Sequence, residues 1–256
     1  MNERRVAFIT GSRRGIGRAA AFALAEAGFD IVINDLERDA DAETTLRGLA
    51  DRGVRSRFLL GDITEIEFHG RLLDEIDREF GRLDCLVNNA GMIAQRRGDI
   101  LETSPEELDS LWQINLRGTF FLTQAVARRM IAESPDRPGR SIVTITSANA
   151  LMVSPEKAAY CISKSAASMA AQLFAVRLAE HGIPVFEIRP GLITTQMSGP
   201  VRERYSKMMG EGLTPIRRWG RTEEVGKAVA SLATGALPYS IGQVINIDGG
   251  LLTFRL

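Results

Sequence analysis

The chain has 256 residues, and its 32 lysines and arginines equal its 32 aspartates and glutamates, so the formal net charge is zero. That balance gives no electrostatic case for nucleic-acid binding, and no apolar stretch reaches membrane-spanning length. Cys85 and Cys161 form no CxxC pair or disulfide framework, and His69 and His181 form no metal-ligand pair, so no metal site is expected.

MNERR runs straight into an apolar segment, which leaves no room for a signal peptide and, with two unpaired cysteines, points to a reducing cytoplasm. Val6 to Thr10 reads as a short strand, followed by a glycine-rich turn and a helix to about Ala27. Gly11, Gly15 and Gly17, with Arg14 and Ile16 between them, let the backbone turn tightly and approach a pyrophosphate at a helix N-terminus. The spacing departs from GxGxxG and lacks the lysine of a nucleotide-hydrolase loop, and a plain strand-to-helix turn is the alternative. The next strand, Asp30 to Asn34, ends at Asp35, 24 residues after Gly11, where a carboxylate can accept hydrogen bonds from an adenosine ribose. Asp35 favours NAD. Arg14 pulls toward NADP, because it can pair with a 2′-phosphate that Asp35 would repel, so NADP is not excluded.

Further strands are expected near Ser56, at Leu83 to Val87, near Ile142, at Val185 to Arg189 and near Val244, separated by helical runs. This alternation predicts an α/β fold: a doubly wound, seven-stranded, mostly parallel Rossmann sheet with helices on both faces, in one domain over residues 1–256. Ser134 to Arg140 is read as a surface turn. Single residues have plain readings: Asp62 as a cap for the next helix, Asn88 and Asn89 as filling for a tight loop, Asn115 as a bridge across a helix kink, and His181 before Gly182 as a partner of the last helical carbonyls. Met197 to Trp219 breaks the alternation with glycine, proline and methionine, which suits a mobile substrate lid, although Met208 and Met209 equally suit a core. The arginine pairs Arg96–Arg97, Arg128–Arg129 and Arg217–Arg218 read as solvated faces, intersubunit ion pairs or a docking patch for an acidic carrier.

The chemistry concentrates at AAYCISKSAA. If Ala159 to Glu180 is one helix, Tyr160 and Lys164 share a face one turn apart, and an adjacent ammonium would lower the phenol's pKa toward working pH. Ser147, thirteen residues before Tyr160 at the end of SIVTIT, can orient a carbonyl or alcohol oxygen. YxxxK alone occurs by chance on many helices; its company carries the argument. Cys161, beside Tyr160, is read as a small apolar filler, since no histidine other than His181 lies near it.

TGSRRGIG at Thr10 to Gly17, Asp62, NNAG at Asn88 to Gly91, Asn115 in QINLRGTF, Ser147, YCISK, PGLITTQM at Pro190 to Met197 and INIDGG follow one another over nearly the whole chain. The chain thereby resembles the short-chain dehydrogenase/reductases, most closely the 3-oxoacyl-(acyl-carrier-protein) reductase-like group. The resemblance implies a catalytic tetrad of Asn115, Ser147, Tyr160 and Lys164 with no position substituted. It implies Asp62 and Ile63 near adenine, Asn89, Ala90 and Gly91 along the cofactor groove, and Tyr160 and Lys164 near the nicotinamide ribose. Pro190, Gly191, Ile193 and Thr195 would lie near the nicotinamide carboxamide and phosphates, although a surface turn is the plainer reading of that segment. Hydride transfer between a nicotinamide and a carbonyl or secondary alcohol follows, as does a homotetramer built through long helices, the last strand and the apolar tail Leu251 to Leu256. A nicotinamide-binding regulator without turnover is the second reading, against which the intact tetrad counts. An extended-type epimerase or dehydratase is third, and too little chain follows Pro190 for it. Substrates could be 3-oxoacyl thioesters, sugars, polyols or steroids. The tyrosine helix ends in Glu180, His181 and Gly182 without basic docking residues, so an acyl carrier protein partner has no support; with Asp35, this tilts the reading toward an NAD-dependent alcohol or sugar dehydrogenase.

Overall fold

The computed structural model describes residues 4–94, 96–133 and 137–254, with the backbone alone at Glu133, Met197 and Pro200. Expectations that touch residues 1–3, 134–136 and 255–256 lie outside the described residues.

The chain alternates as β1 (Val6–Thr10), α1 (Gly15–Glu26), β2 (Asp30–Asp35), α2 (Ala40–Ala50), β3 (Ser56–Leu60), α3 (Phe68–Phe80) and β4 (Cys85–Asn88). It continues through α4 (Pro105–Trp112), α5 (Thr119–Glu133), β5 (Ser141–Ile145), α6 (Ala158–Leu178), β6 (Val185–Pro190), α7 (Arg202–Gly210), α8 (Thr222–Ala233) and β7 (Val244–Ile247). All strand pairings are parallel, in the order β3-β2-β1-β4-β5-β6-β7.

Because the sheet is covered on both faces, its central strands are continuous apolar runs rather than alternating ones: every residue of β1 and β5 is buried. The pleat divides them. Ala7, Ile9, Ile31, Ile33, Val87 and Ile188 face α1, α2 and α8, while Val6, Phe8, Val32, Leu86 and Ile142 face α3, α5 and α6. Helix ends follow local chemistry: Asp39 caps α2 by accepting from the Ala42 N–H at 3.0 Å, and Ser104 caps α4 ahead of Pro105.

The chain runs outward from β1 to β3, then returns to place β4 on the other side of β1. This reversal opens a crevice at the carboxyl ends of β1 and β4, where open α/β sheets bind ligands. Two boundaries differ from expectation. The fourth strand is Cys85–Asn88 rather than Leu83 to Val87; just before it, the Asp84 carboxylate accepts from the Val6 N–H and from Arg82 while its backbone N–H donates to the Val6 carbonyl. Helix α6 ends at Leu178 and tightens into a 3₁₀ turn to His181, which Gly182 terminates with a left-handed φ of 62°. The His181 ring meets Arg177 at 2.9 Å and lies 3.7 Å from Glu180, not on the helical carbonyls as expected.

Candidate active site

A cavity of 1160 Å³ runs along the carboxyl ends of the strands. Its wall includes every residue singled out from the sequence as catalytic or cofactor-binding except Asn115 and Gly17, which stand behind it.

At the β1 end, Gly11 turns with φ of 60°, and a Cβ there would stand 2.8 Å from the Ala90 Cα. This approach ties the glycine turn to the loop after β4. Asn89 completes the tie, its amide donating to the carbonyls of Thr10 (2.9 Å) and Gly11 (2.8 Å), while the Thr10 hydroxyl accepts from the N–H groups of Asn89 (3.1 Å) and Ala90 (3.0 Å). Thr10, which the sequence reading did not single out, is thus the hinge of the turn; it stands beside Gly11 as the last residue of β1. Gly17 packs behind the turn, a Cβ there meeting the Gly11 carbonyl at 2.5 Å, whereas Gly15 faces open space. Gly11→Ala should therefore lose about 2–4 kcal/mol of stability, from a strained backbone and an unyielding neighbour, and weaken NADH binding; urea unfolding and a fluorescence titration measure both.

At the end of β2, the Asp35 carboxylate accepts from the Leu36 N–H (2.9 Å) and the Arg13 N–H (3.2 Å), with the Arg13 guanidinium 3.4 Å away. Arg13, not Arg14, holds this corner. Its guanidinium also reaches Glu37 and Asp39, both at 2.6 Å, and these carboxylates raise its pKa. Arg14 is more exposed and lies 3.8 Å from Asp41. Asp62 accepts from the Thr64 N–H at 2.8 Å and so closes a local turn; α3 begins only at Phe68, so it does not cap that helix.

Between α4 and α5 the helix widens into a π turn, Gln113–Gly118, that carries buried Asn115 inward. Its side chain accepts from the Met92 N–H (2.8 Å) and donates to the Met92 carbonyl (2.9 Å) and the Ser163 hydroxyl (3.0 Å). The expected kink is thus present, and Asn115 spans from it to the loop after β4 and to α6. Gly91 leaves room between them, since a Cβ there would lie 3.0 Å from Asn115 Oδ1 and 3.3 Å from Lys164 Nζ.

Helix α6 buries Lys164 and leaves Tyr160 half-buried one turn earlier. Lys164 donates to the Ile145 carbonyl at 3.3 Å and lies 5.9 Å from the Tyr160 ring centroid. Burial pushes its pKa down to about 8, opposed by the charge of Glu187. Glu187, which the sequence reading also passed over, is itself buried on β6 and accepts from Thr146 (2.5 Å), Ser168 (2.8 Å) and Arg189 (2.7 Å). Ser147 begins a 3₁₀ turn after β5, its hydroxyl accepting from the Asn149 N–H at 3.1 Å. Burial raises the Tyr160 pKa, the Ser147 hydroxyl holds it down, and Cys161 adds to the rise. The direction is opposite to that expected from Lys164, because desolvation of the phenol outweighs the Ser147 hydrogen bond that favours its charged form. The Cys161 thiol points to the carbonyls of Met152 (3.7 Å) and Ser154 (3.8 Å), as a partly buried filler.

A depressed lysine pKa destabilises the fold while both folded and unfolded forms are protonated, and the penalty fades once the folded form alone has lost its proton. Wild type should therefore gain on Lys164→Met by up to about 3 kcal/mol as pH rises from about 8 toward the ordinary lysine value, as urea unfolding across that range would show.

After β6, a Cβ on Gly191 would meet the Asp248 Cα at 2.7 Å, so Pro190 and Gly191 pass tightly over the loop after β7. Ile193 is buried and pairs with Gly220, and the Thr195 N–H donates to the Ser198 hydroxyl at 3.0 Å. The region from Met197 to Trp219 holds a 3₁₀ segment and α7 rather than loop alone; its Trp219 donates to Ser206 at 2.9 Å, and Met209 is buried as a core residue would be. The arginine pairs form no common patch: Arg129 reaches Asp74 and Asp77, Arg218 reaches Glu224, and Arg97 faces Tyr205.

A doubly wound sheet with a glycine-turn crevice and a serine, tyrosine and lysine at its mouth defines a nucleotide-dependent oxidoreductase of the α/β class. A family model described as enoyl-(acyl carrier protein) reductase matches residues 11–252, and the chain belongs to the short-chain dehydrogenase/reductases. It is similar to the 3-oxoacyl-[acyl-carrier protein] reductase from Brucella melitensis in complex with NAD, at 44% identity and a TM-score of 0.96, covering 100% of both chains. It is 34% identical to the 2-dehydro-3-deoxy-D-gluconate 5-dehydrogenase of Dickeya dadantii over 97% of this chain and 95% of that one. It also resembles a gluconate 5-dehydrogenase from Burkholderia cenocepacia in complex with NADP and tartrate, at 34% identity and a TM-score of 0.89 over 99% and 97% of the two chains. The protein is an oxidoreductase of hydroxyl and keto groups that uses a nicotinamide cofactor, and nothing in these likenesses favours a regulator without turnover. Among the described residues, no helix is long and apolar enough to cross a membrane.

Proposed function

We propose that the protein is an NAD-dependent dehydrogenase/reductase that interconverts a secondary alcohol and a ketone on a small polar substrate. The observation that carries this reading is the convergence of Ser147, Tyr160 and Lys164, backed by Asn115, on the cavity that the glycine turn opens. The cradle fits a dinucleotide: Gly11 and Gly17 have no space for a Cβ, while the position a Gly15 Cβ would take is open. When bound, the nicotinamide supplies or takes up the hydride. Ser147 holds the substrate oxygen, and Tyr160 passes a proton to or from it. Lys164 brings positive charge beneath both, and Asn115 fixes the loop at Met92 against α6. Asp62, Ile63, Asn89, Ala90 and Gly91 flank the adenine and diphosphate half, and Pro190, Gly191, Ile193 and Thr195 the nicotinamide half. Asp35 takes the adenosine ribose; with Glu37 and Asp39 it sets three carboxylates against one guanidinium, which supports NAD over NADP. Residues 1–256 serve as one catalytic domain, with Met197 to Trp219 as the substrate lid.

The outer face of α6 exposes Ile162, Met169, Leu173 and Val176, beside exposed Trp112 at the end of α4, an apolar seam that a homotetramer would cover. Two free thiols, one with its pKa raised by burial to about 12, suit a reducing cytoplasm. A second substrate reading, reduction of a 3-oxoacyl thioester, is favoured by the likeness to the Brucella melitensis protein. The test is absorbance of reduced nicotinamide with NADH and NADPH against a 3-oxoacyl thioester, and with the oxidised cofactors against sugars and polyols. NAD-linked turnover that Tyr160→Phe sharply lowers is expected; silence across both sets would sink the reading.

A further inference from the structure

We propose that the substrate end of this cavity is a carboxylate subsite, in which Lys157, with Arg97 and Tyr205, holds the acid group of a small hydroxy acid or its keto form while the reacting carbon faces Tyr160. This rests on the oxidoreductase reading and names the substrate class within it.

Lys157 stands three residues before Tyr160, at the point where a 3₁₀ turn, Pro155–Lys157, runs into α6. Its ammonium donates to Asn149 Oδ1 at 2.8 Å, and Asn149 lies two residues after Ser147. Lys157 and Asn149 therefore bracket the proposed reaction centre, and both line its cavity. Lys157 is partly buried, yet among the described residues its hydrogen-bond partner is a neutral amide oxygen rather than a carboxylate. Burial, followed by the charge of Arg97, holds its pKa below the ordinary lysine value, against the pull of Tyr205, Cys161 and Glu156.

Neighbouring charges leave a surplus of positive charge. Glu156, the adjacent acid, is gripped by Arg204 at 3.0 and 3.3 Å. Arg97 enters from the segment after β4 and lies over Tyr205 of α7, 6.0 Å from its ring centroid, with its NH1 3.5 Å from the hydroxyl. Among the described residues neither Lys157 nor Arg97 is in a salt bridge; Glu156, whose charge both feel, is bridged to Arg204, and a partly desolvated ammonium gains most from an anion. Lys157 is the residue from which α6 starts, and it shares the cavity with Ser147, Asn149 and Tyr160, so the anionic group belongs close to the reacting carbon. A carboxylate a few carbons from the alcohol meets that requirement. The phosphate at the far end of a pantetheine arm lies many bonds from its 3-oxo carbon and does not.

The test compares kcat/KM with NAD for matched pairs, gluconate against sorbitol and 3-hydroxybutyrate against its methyl ester, and with NADH for 3-oxobutanoyl-CoA. The acids should be preferred. Lys157→Met should lower kcat/KM on the acids about a hundredfold, far more than on the neutral partners, with partial recovery in Lys157→Arg. Equal use of acid and neutral members, equal losses on both in Lys157→Met, or a Lys157-dependent preference for the CoA thioester would each overturn the proposal. If no substrate turned over, the oxidoreductase reading would fail by itself, and calorimetric titration of tartrate into the NAD-loaded protein would still judge the subsite: heat in wild type that Lys157→Met loses supports it, and no heat in wild type refutes it.

Discussion

Tyr160→Phe should lower kcat by about 10²–10⁴-fold while NADH still binds as in wild type. The substitution removes one oxygen. The ring remains on α6, 5.9 Å from Lys164 Nζ by its centroid, and the glycine turn, the Asn89 tie and Asp35 are untouched. Only the group able to exchange a proton with the substrate oxygen is lost. Burial raises the phenol's pKa, so in the protein alone Tyr160 is an acid poised to give its proton rather than a standing phenolate. Rates of ketone reduction should accordingly hold at neutral pH, and alcohol oxidation should accelerate as pH rises. Steady-state rates in both directions, with NADH affinity by fluorescence, measure this; a mutant that keeps most of its kcat would remove Tyr160 from the chemistry.

The second large effect concerns the cofactor. Asp35→Asn should raise the NADP-to-NAD ratio of kcat/KM by about a hundredfold. A carboxylate about 5 Å from a phosphate costs about 3 kcal/mol per unit charge at an effective dielectric near 20, and screening reduces that to about a hundredfold. The amide keeps the shape of Asp35 and can still accept from the Leu36 N–H, so the loss of charge is isolated from the loss of the turn. Arg13 stays anchored by Glu37 and Asp39, which should keep the switch from being complete. An unchanged ratio would mean that the adenosine ribose does not meet Asp35.

Much of this site was legible because the residues that line it lie at strand ends, and strand ends are marked locally. An apolar run stops, glycine, asparagine, serine or proline follows, and parallel topology carries all such ends to one edge of the sheet. Gly11, Asn89 and Ser147 follow β1, β4 and β5 in this way, and Pro190 closes β6 ahead of Gly191. The spacing of Tyr160 and Lys164 likewise needs nothing beyond the helical repeat.

What the sequence by itself determined is the alternation of strand and helix, the bounds of β1, the glycine turn, the acidic end of β2 and the pairing of tyrosine with lysine, each a property of a few neighbouring residues. The tertiary structure decided which of two adjacent arginines takes the corner. Arg13 rather than Arg14 meets Asp35, because that choice depends on where β2 lies beside β1 and which way the turn aims each side chain. It also decided the direction of the Tyr160 pKa, since desolvation is a sum over everything packed around the phenol. Glu187 beneath Lys164 and Asn149 against Lys157 arise in the same way, from β6 packing on α6 and from the turn after β5 folding back on the start of that helix. Local sequence encodes which elements form; electrostatics and desolvation depend on which distant elements they meet.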